Sequence, residues 1–308
     1  MDAVCYLAIE IGGTKLQIAV GDATGKLLQR HRFVVDRHQG AAGIRTQIQQ
    51  TLPQLIHQHK PRAIGVGFGG PVDWRKGRIC VSHHVAGWAD FALADWLNQL
   101  TGLPVRVDND ANVAALGEAR CGAGTDADPV FYVTLGSGVG GGLVVGGRIY
   151  HGAPPGEAEL GHLRLDRAGT IVEARCSGWA VDAKIRALVA SGSDSLLARL
   201  ARTAPGSEAR HLGPALAAND PAAWQILRET AQDLAFALSH ATHLFHPQVI
   251  VLGGGLALTG EPLRAAVAEV LPGFLMEAFR PGPTVRLAAL AEDAVPVGAV
   301  LLAQQPEP

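Results

Sequence analysis

The stretch CYLAIEIGGTKLQIAVGDATGKLLQRHRF, residues 5–33, decides how this chain begins to fold. An apolar run at 4–9 meets Gly12-Gly13. A second run at 16–20 meets Gly21-Asp22-Ala23-Thr24-Gly25-Lys26, and a third strand follows. Apolar runs of strand length separated by glycine turns make a β-meander, because glycine readily takes the positive φ that tight turns demand. The pattern returns at 129–150 as PVFYVTLGSGVGGGLVVGGRIY: strand 129–135, glycine turn 136–142, strand 143–145, turn Gly146-Gly147, strand 148–150. The two stretches share little sequence identity. They share an architecture.

Outward from the first meander, 40 to about 59 reads as a helix, with Pro53 a kink or break. Residues 63–68 read as a buried strand ending at the turn Gly69-Gly70-Pro71. Residues 91–100 form a helix closed by Gly102-Leu103-Pro104, 105–107 a strand and 111–119 a helix. Beyond the second meander, 191–220 reads as loops and short helices. Leu227, Ala231, Leu234, Leu238, Ala241 and Phe245 then recur at alternating spacings of four and three, a long amphipathic helix. An apolar strand at 249–252 is capped by Gly253-Gly254-Gly255, and helices follow at 262–270 and 298–303. A meander followed by helices in both halves predicts an α/β fold of two domains with mixed sheets.

Bulk properties agree. A chain of 308 residues, 48% hydrophobic, can fill two cores. Its net charge of −2 and pI near 6.6 offer no polyanion surface, so no nucleic-acid partner is expected. No apolar run is long enough to span a membrane, and no membrane partner is expected. Cys5, Cys80, Cys121 and Cys176 are too scattered for a thiolate zinc site or a disulfide framework, which suggests a cytoplasmic setting.

Chemistry concentrates in four places. Gly136, Gly138 and Gly141 match a dinucleotide fingerprint, but a strand follows where that motif needs a helix. A hairpin of glycines can still turn backbone amides on an anion. Glu10-Ile11-Gly12-Gly13-Thr14-Lys15 combines a carboxylate, two glycines, a hydroxyl and a cation: Thr14 and Lys15 suit phosphate oxygens, and Glu10 suits a hydrated magnesium ion. Ser137 adds a hydroxyl to the second loop. Between the loops lies Asp108-Asn109-Asp110-Ala111-Asn112, at the C-terminal end of a strand, where open α/β sheets bind ligands. Capping a helix requires one of these side chains, not four. Asp110 is the candidate base, since an ionised carboxylate can take a proton from a hydroxyl during phosphoryl transfer. Glu157, Glu159 and His162 form a further polar knot.

These motifs together resemble the ROK family of bacterial sugar kinases and related repressors, within the actin-like ATPase (ribonuclease H-like) superfamily. The resemblance is carried by EIGGTK at 10–15, GFGGPVD at 67–73, GWADF at 87–91, PVRVDNDANVAALGEA at 104–119, TLGSGVGGG at 134–142, GEAELGH at 156–162, HPQVIVLGGG at 246–255 and PVGAVLLA at 296–303. It implies an interdomain cleft, with a smaller domain at 1–117, joined by a terminal helix at about 296–308, and a larger one at 118–295. It implies a homodimer that uses ATP and magnesium. Gly12, Gly13, Thr14 and Lys15 would form the first phosphate loop and Gly136, Ser137 and Gly138 the second, with Gly253, Gly254 and Gly255 beside the adenosine. Gly69, Gly70, Asn109, Asp110, Glu159, His162 and Glu173 would line the sugar site, Asp110 as base.

Three departures from the family pattern stand out. Glu10 replaces the commoner Asp, as in the fructokinase-like branch. His84 stands where an Asn commonly precedes the GW motif and is carried over as a sugar contact. The family's three zinc cysteines between 162 and 173 are missing, so no structural zinc is expected and His162 needs another partner, for which Asp166 and Glu173 both qualify. Glucose phosphorylated at its 6-OH is the leading expectation, ahead of fructose, mannose or an N-acetylhexosamine. Polyphosphate is a rival donor. A sugar-responsive repressor or silent sensor is the rival of another class, disfavoured because the chain opens directly on the first strand and keeps Asp110.

Overall fold

The opening meander forms as read. In the computed structural model, which describes residues 4–82, 85–156 and 158–305, β1 (Cys5–Ile11), β2 (Lys15–Asp22) and β3 (Leu27–Val34) pair antiparallel, with Glu10 opposite Gln17. Helix α1 (Gly40–His59) follows. It runs unbroken through Pro53, where a kink or break is expected. Ala41, Ile44, Ile48, Leu52 and Leu55 form one buried stripe across the proline, and this packing holds the helix together. Next come β4 (Ile64–Phe68), a short hairpin of β5 (Val72–Asp73) and β6 (Arg78–Ile79), α2 (Leu93–Thr101), β7 (Val105–Asn109) and α3 (Asp110–Cys121). Strand β4 is parallel to both β1 and β7, giving a mixed sheet of order β3-β2-β1-β4-β7. His84 lies outside the described residues, as does Glu157.

The second meander is β8 (Val130–Leu135), β9 (Val139–Val145) and β10 (Arg148–Ile149). Its glycine turn is shorter than the expected 136–142, because β9 already starts at Val139. Gly142 lies within the strand; a Cβ there would fall 2.7 Å from the Ala111 carbonyl oxygen, so glycine serves a close approach to α3. Then come α4 (Glu173–Cys176), α5 (Gly178–Ala190), α6 (Leu196–Arg202), α7 (Leu212–Ala217), the long α8 (Pro221–Phe245), β11 (Val249–Gly253), α9 (Glu261–Val270), β12 (Thr284–Leu287) and α10 (Ala294–Leu302). Helix α8 starts where Asp220 accepts hydrogen bonds from the Ala222 and Ala223 amides and Pro221 takes the first helical position. The second sheet has order β10-β9-β8-β11-β12, with β8, β11 and β12 parallel.

The chain divides into two compact units. One comprises 1–126, 142–158 and 292–308; the other comprises 127–141 and 159–291. The expected cuts at 117/118 and 295/296 fall inside α3 and α10. In the first unit, the fully buried Leu7, Ile9, Ile18, Ile48 and Phe68 centre the core, with Phe68 edge-on to Trp88 at 5.5 Å. Helix α10 packs against β4 and α3 at backbone contact. A Cβ at Gly65 would lie 1.9 Å from the Ala299 oxygen, and one at Gly298 1.8 Å from the Val113 oxygen. No described helix is long and apolar enough to cross a membrane.

Candidate functional site

In the first unit, three chain segments converge. The turn from β1 to β2 is closed by the Gly12 amide donating to the Lys15 carbonyl at 3.0 Å. The Gly69 amide, just past β4, donates to the Ile11 carbonyl at 2.9 Å. A Cβ at Gly69 would lie 3.3 Å from Asp110 Oδ2 and 3.6 Å from Gly12 Cα, so this glycine keeps the ground between the loop and the Asp110 carboxyl open. Asp110 opens α3. Asn109 caps the helix: its Oδ1 accepts from the Ala111 and Asn112 amides at 2.8 and 3.3 Å, and its Nδ2 donates to the Gly70 carbonyl at 3.2 Å. Asn109 is thus the cap of the helix.

Glu10 is buried and bears two partners. Lys15 Nζ lies 3.0 Å from its Oε1, and Gln17 Nε2 donates to Oε2 at 2.6 Å. Burial nonetheless raises its pKa, with Lys15 and Gln17 opposing. Asp110 is pushed up to about 7, first by burial and then by the negative charge of Glu10, against the Ala111 amide and Lys15. A carboxyl poised near neutrality, facing a second acid and a lysine, suits proton exchange at physiological pH. Gln17 is a residue that sequence reading passes over. Its signal is a lone amide in an apolar strand, and it also accepts from Arg32 Nε at 3.0 Å.

The second unit offers mostly backbone. The Gly136 amide donates to the Gly138 carbonyl at 2.9 Å, and the Gly136 carbonyl accepts from the Gly178 amide at 2.7 Å, joining the turn to the start of α5. Ser177 caps α5, accepting from the Ala180 amide. Ser137 is exposed at the turn's tip. Gly254, at φ +83, crosses the end of β8 so closely that a Cβ would lie 2.5 Å from the Leu135 amide nitrogen. The glycine run 253–255 therefore packs against the end of β8, next to the loop 136–138.

Glu173 also comes to this loop. Its Oε2 accepts from the Val139 amide at 2.9 Å and lies where a Gly138 Cβ would stand. Glu159 and His162 are exposed beside the turn 160–162. Neither expected partner is hydrogen-bonded to His162: Asp166 accepts from the Gly169 and Thr170 amides of its own turn, and Glu173 is engaged at Val139. Among the described residues, no three of His, Cys, Asp and Glu are grouped as metal ligands. Thr14 is exposed and Gly13 and Gly70 half-buried in the first unit.

Comparison with known proteins gives one consistent result. The family model described as ROK family matches residues 6–306. A glucokinase of Halalkalibacterium halodurans is 31% identical over 316 aligned residues, covering 98% of this chain and 96% of that protein. A ROK family glucokinase from Streptomyces griseus, solved with glucose and AMPPNP, is 31% identical, with a TM-score of 0.84 over 98% of this chain and 100% of its own. A ROK hexokinase from Thermus thermophilus is 30% identical, with a TM-score of 0.78 over 97% of this chain and 98% of its own.

Proposed function

The chain belongs to the ROK family and has its actin-like ATPase fold, and from that premise we propose that it is a sugar kinase transferring the γ-phosphoryl group of ATP to a hexose, foremost to the 6-OH of glucose. The observation that carries this reading is Asp110, a carboxyl at about 7 opening α3 beside Gly12, Gly69, Glu10 and Lys15. The glucokinases of similar sequence, one solved with glucose and AMPPNP, support the substrate and the donor.

In the proposed reaction the sugar is held by Asn109, Glu159, His162 and Glu173, with Gly69 and Gly70 giving it room. Asp110 takes the hydroxyl proton as the oxygen attacks the γ-phosphorus in line, and ADP departs. Lys15, Thr14 and the amides of Gly12 and Gly13 are assigned to phosphate oxygens, as are the amides and hydroxyl at 136–138. The backbone of 253–255 is assigned to the adenosine.

Glu10 fits a hydrated magnesium ion. It supplies hard oxygen, each oxygen holds a single hydrogen-bonding partner, and its charge adds to burial in raising the Asp110 pKa. Bound there, magnesium would neutralise charge on the polyphosphate. The reading includes a cytoplasmic location and a homodimer, the latter tested by light scattering.

The deciding experiment is an ADP-release screen over hexoses and N-acetylhexosamines, with ATP and polyphosphate as donors. Glucose with ATP is expected to be turned over fastest. Sugar binding without turnover of any of them would give the sensor reading instead.

A further inference from the structure

Asp108 precedes the residues that the proposed reaction uses, yet that reaction gives it no task. It is 2% exposed and carries three interactions. Its Oδ1 accepts from the Asn109 amide at 2.8 Å and from Asn112 Nδ2 at 3.0 Å. Its Oδ2 lies 2.5 Å from His151 Nε2. With Asp108 as a carboxylate, Nε2 is the donor. The imidazole in turn lies flat on the indole of Trp74, with centroids 4.0 Å apart and planes 14° from parallel. Gly156 closes over this stack, where a Cβ would stand 3.3 Å from Trp74 Nε1 and 3.2 Å from His151 Cβ.

The linkage has a direction. Trp74 fixes the His151 ring, the ring holds Asp108, and Asp108 holds the amide of Asn109 and the side chain of Asn112. These flank Asp110 on both sides in sequence. The chain then runs from His151 through Gly156 to Glu159 and His162. A buried carboxylate that loses its partner on one oxygen is left short of a donor, which loosens the hold on the strand end it belongs to.

We propose that His151, acting through Asp108, is a positioning residue for sugar phosphorylation, holding the junction of β7 and α3 so that Asn109 and Asp110 meet the acceptor hydroxyl in line. The proposal rests on the kinase reading above. It goes beyond it in assigning a role to a histidine that contacts neither Asp110 nor the phosphate loop.

The test is steady-state kinetics of the full chain with its best sugar. His151→Ala is expected to lower kcat by about 10- to 100-fold, the worth of a hydrogen bond to a charged group, while the KM for ATP stays within about twofold. His151→Gln, which retains an N–H donor, is expected to recover part of that loss. A kcat for His151→Ala within about twofold of wild type overturns the proposal, as does a loss shared equally by the KM for ATP and unrelieved by Gln. Should His151→Ala not fold, Trp74→Leu loosens the ring without deleting it. A drop of about threefold or more in kcat is then expected, and no drop overturns the proposal. Wild-type kinetics separate the two readings: a wild type that phosphorylates no sugar overturns the kinase assignment itself, and this role with it. An active wild type matched by its variants overturns only the role of His151.

Discussion

The two glycine hairpins have the same architecture and different chemistry. Each turns from a strand buried in the middle of a five-stranded sheet, and each sheet adds two parallel strands on the far side of that strand. The turn at 12–14 is flanked by a buried acid and a lysine, while the turn at 136–138 has no charged residue of its own and receives a carboxylate from α4. The strands at the parallel edges differ further: β7 ends in Asp108-Asn109 and delivers Asp110, whereas β12 ends at Leu287. One repeat has acquired titratable chemistry at its strand ends. The other presents mostly peptide groups, with Gly254 held at φ +83 beside it. A shared backbone plan thus allows one unit to be tuned by side chains and the other by glycine.

This contrast can be broken experimentally. The largest effect is expected from Asp110→Asn, which keeps the helix start and removes the proposed proton acceptor: turnover should fall roughly a thousandfold with sugar affinity retained, as measured by kcat and calorimetry. Near-normal turnover would remove the distinction between the hairpins. Lys15→Ala should raise the KM for ATP by about 30-fold, against about two- to threefold for Ser137→Ala, because a cation on phosphate outweighs a neutral hydroxyl. Equal effects would mean that the second loop is not merely a backbone device.

Glycine substitution should reverse the order. Gly254→Ala forces a Cβ at φ +83 onto the Leu135 backbone and should cost about 2 kcal/mol or more, read as a lowered thermal midpoint. Gly12→Ala meets only the Lys15 oxygen, at 3.3 Å, and should cost about 1 kcal/mol or less. The smallest expected effect is a pH shift. With Asp110 in the proposed role of base it must be ionised, so kcat/KM for the sugar should rise with pH through about 7. Glu10→Gln removes the charge that lifts Asp110 and frees Lys15 to act on it, so the limb should move to lower pH by about half a unit or more. A limb that stays in place would show that Glu10 does not set the base.

Much of this was legible in the sequence. The meanders follow from glycine turns between apolar runs, and the Asn109 cap from its place between a strand and a helix. The segments that make each unit discontinuous were not, because return of the chain at 142–158 leaves no local mark. The raised pKa of Asp110 depends on its burial and on the charge of Glu10, a hundred residues earlier. The pairing of His151 with Asp108 likewise joins residues 43 apart that no periodicity relates. Pro53 shows the opposite case: a local rule predicts a kink or break, and a buried stripe of five side chains runs across an unbroken helix.

The glycines beneath α10 bear on how the protein is made. Gly65 and Gly117 leave space for a helix whose residues begin at 294, and the Ala299 and Ala294 oxygens fill it. On the ribosome, the strands at the start of the chain therefore emerge with a groove that α10 cannot fill until translation has passed residue 302. The unit that is synthesised first is completed last. Until then its apolar groove is open to chaperones, and a ribosome stalled before that helix would display an unfinished first unit.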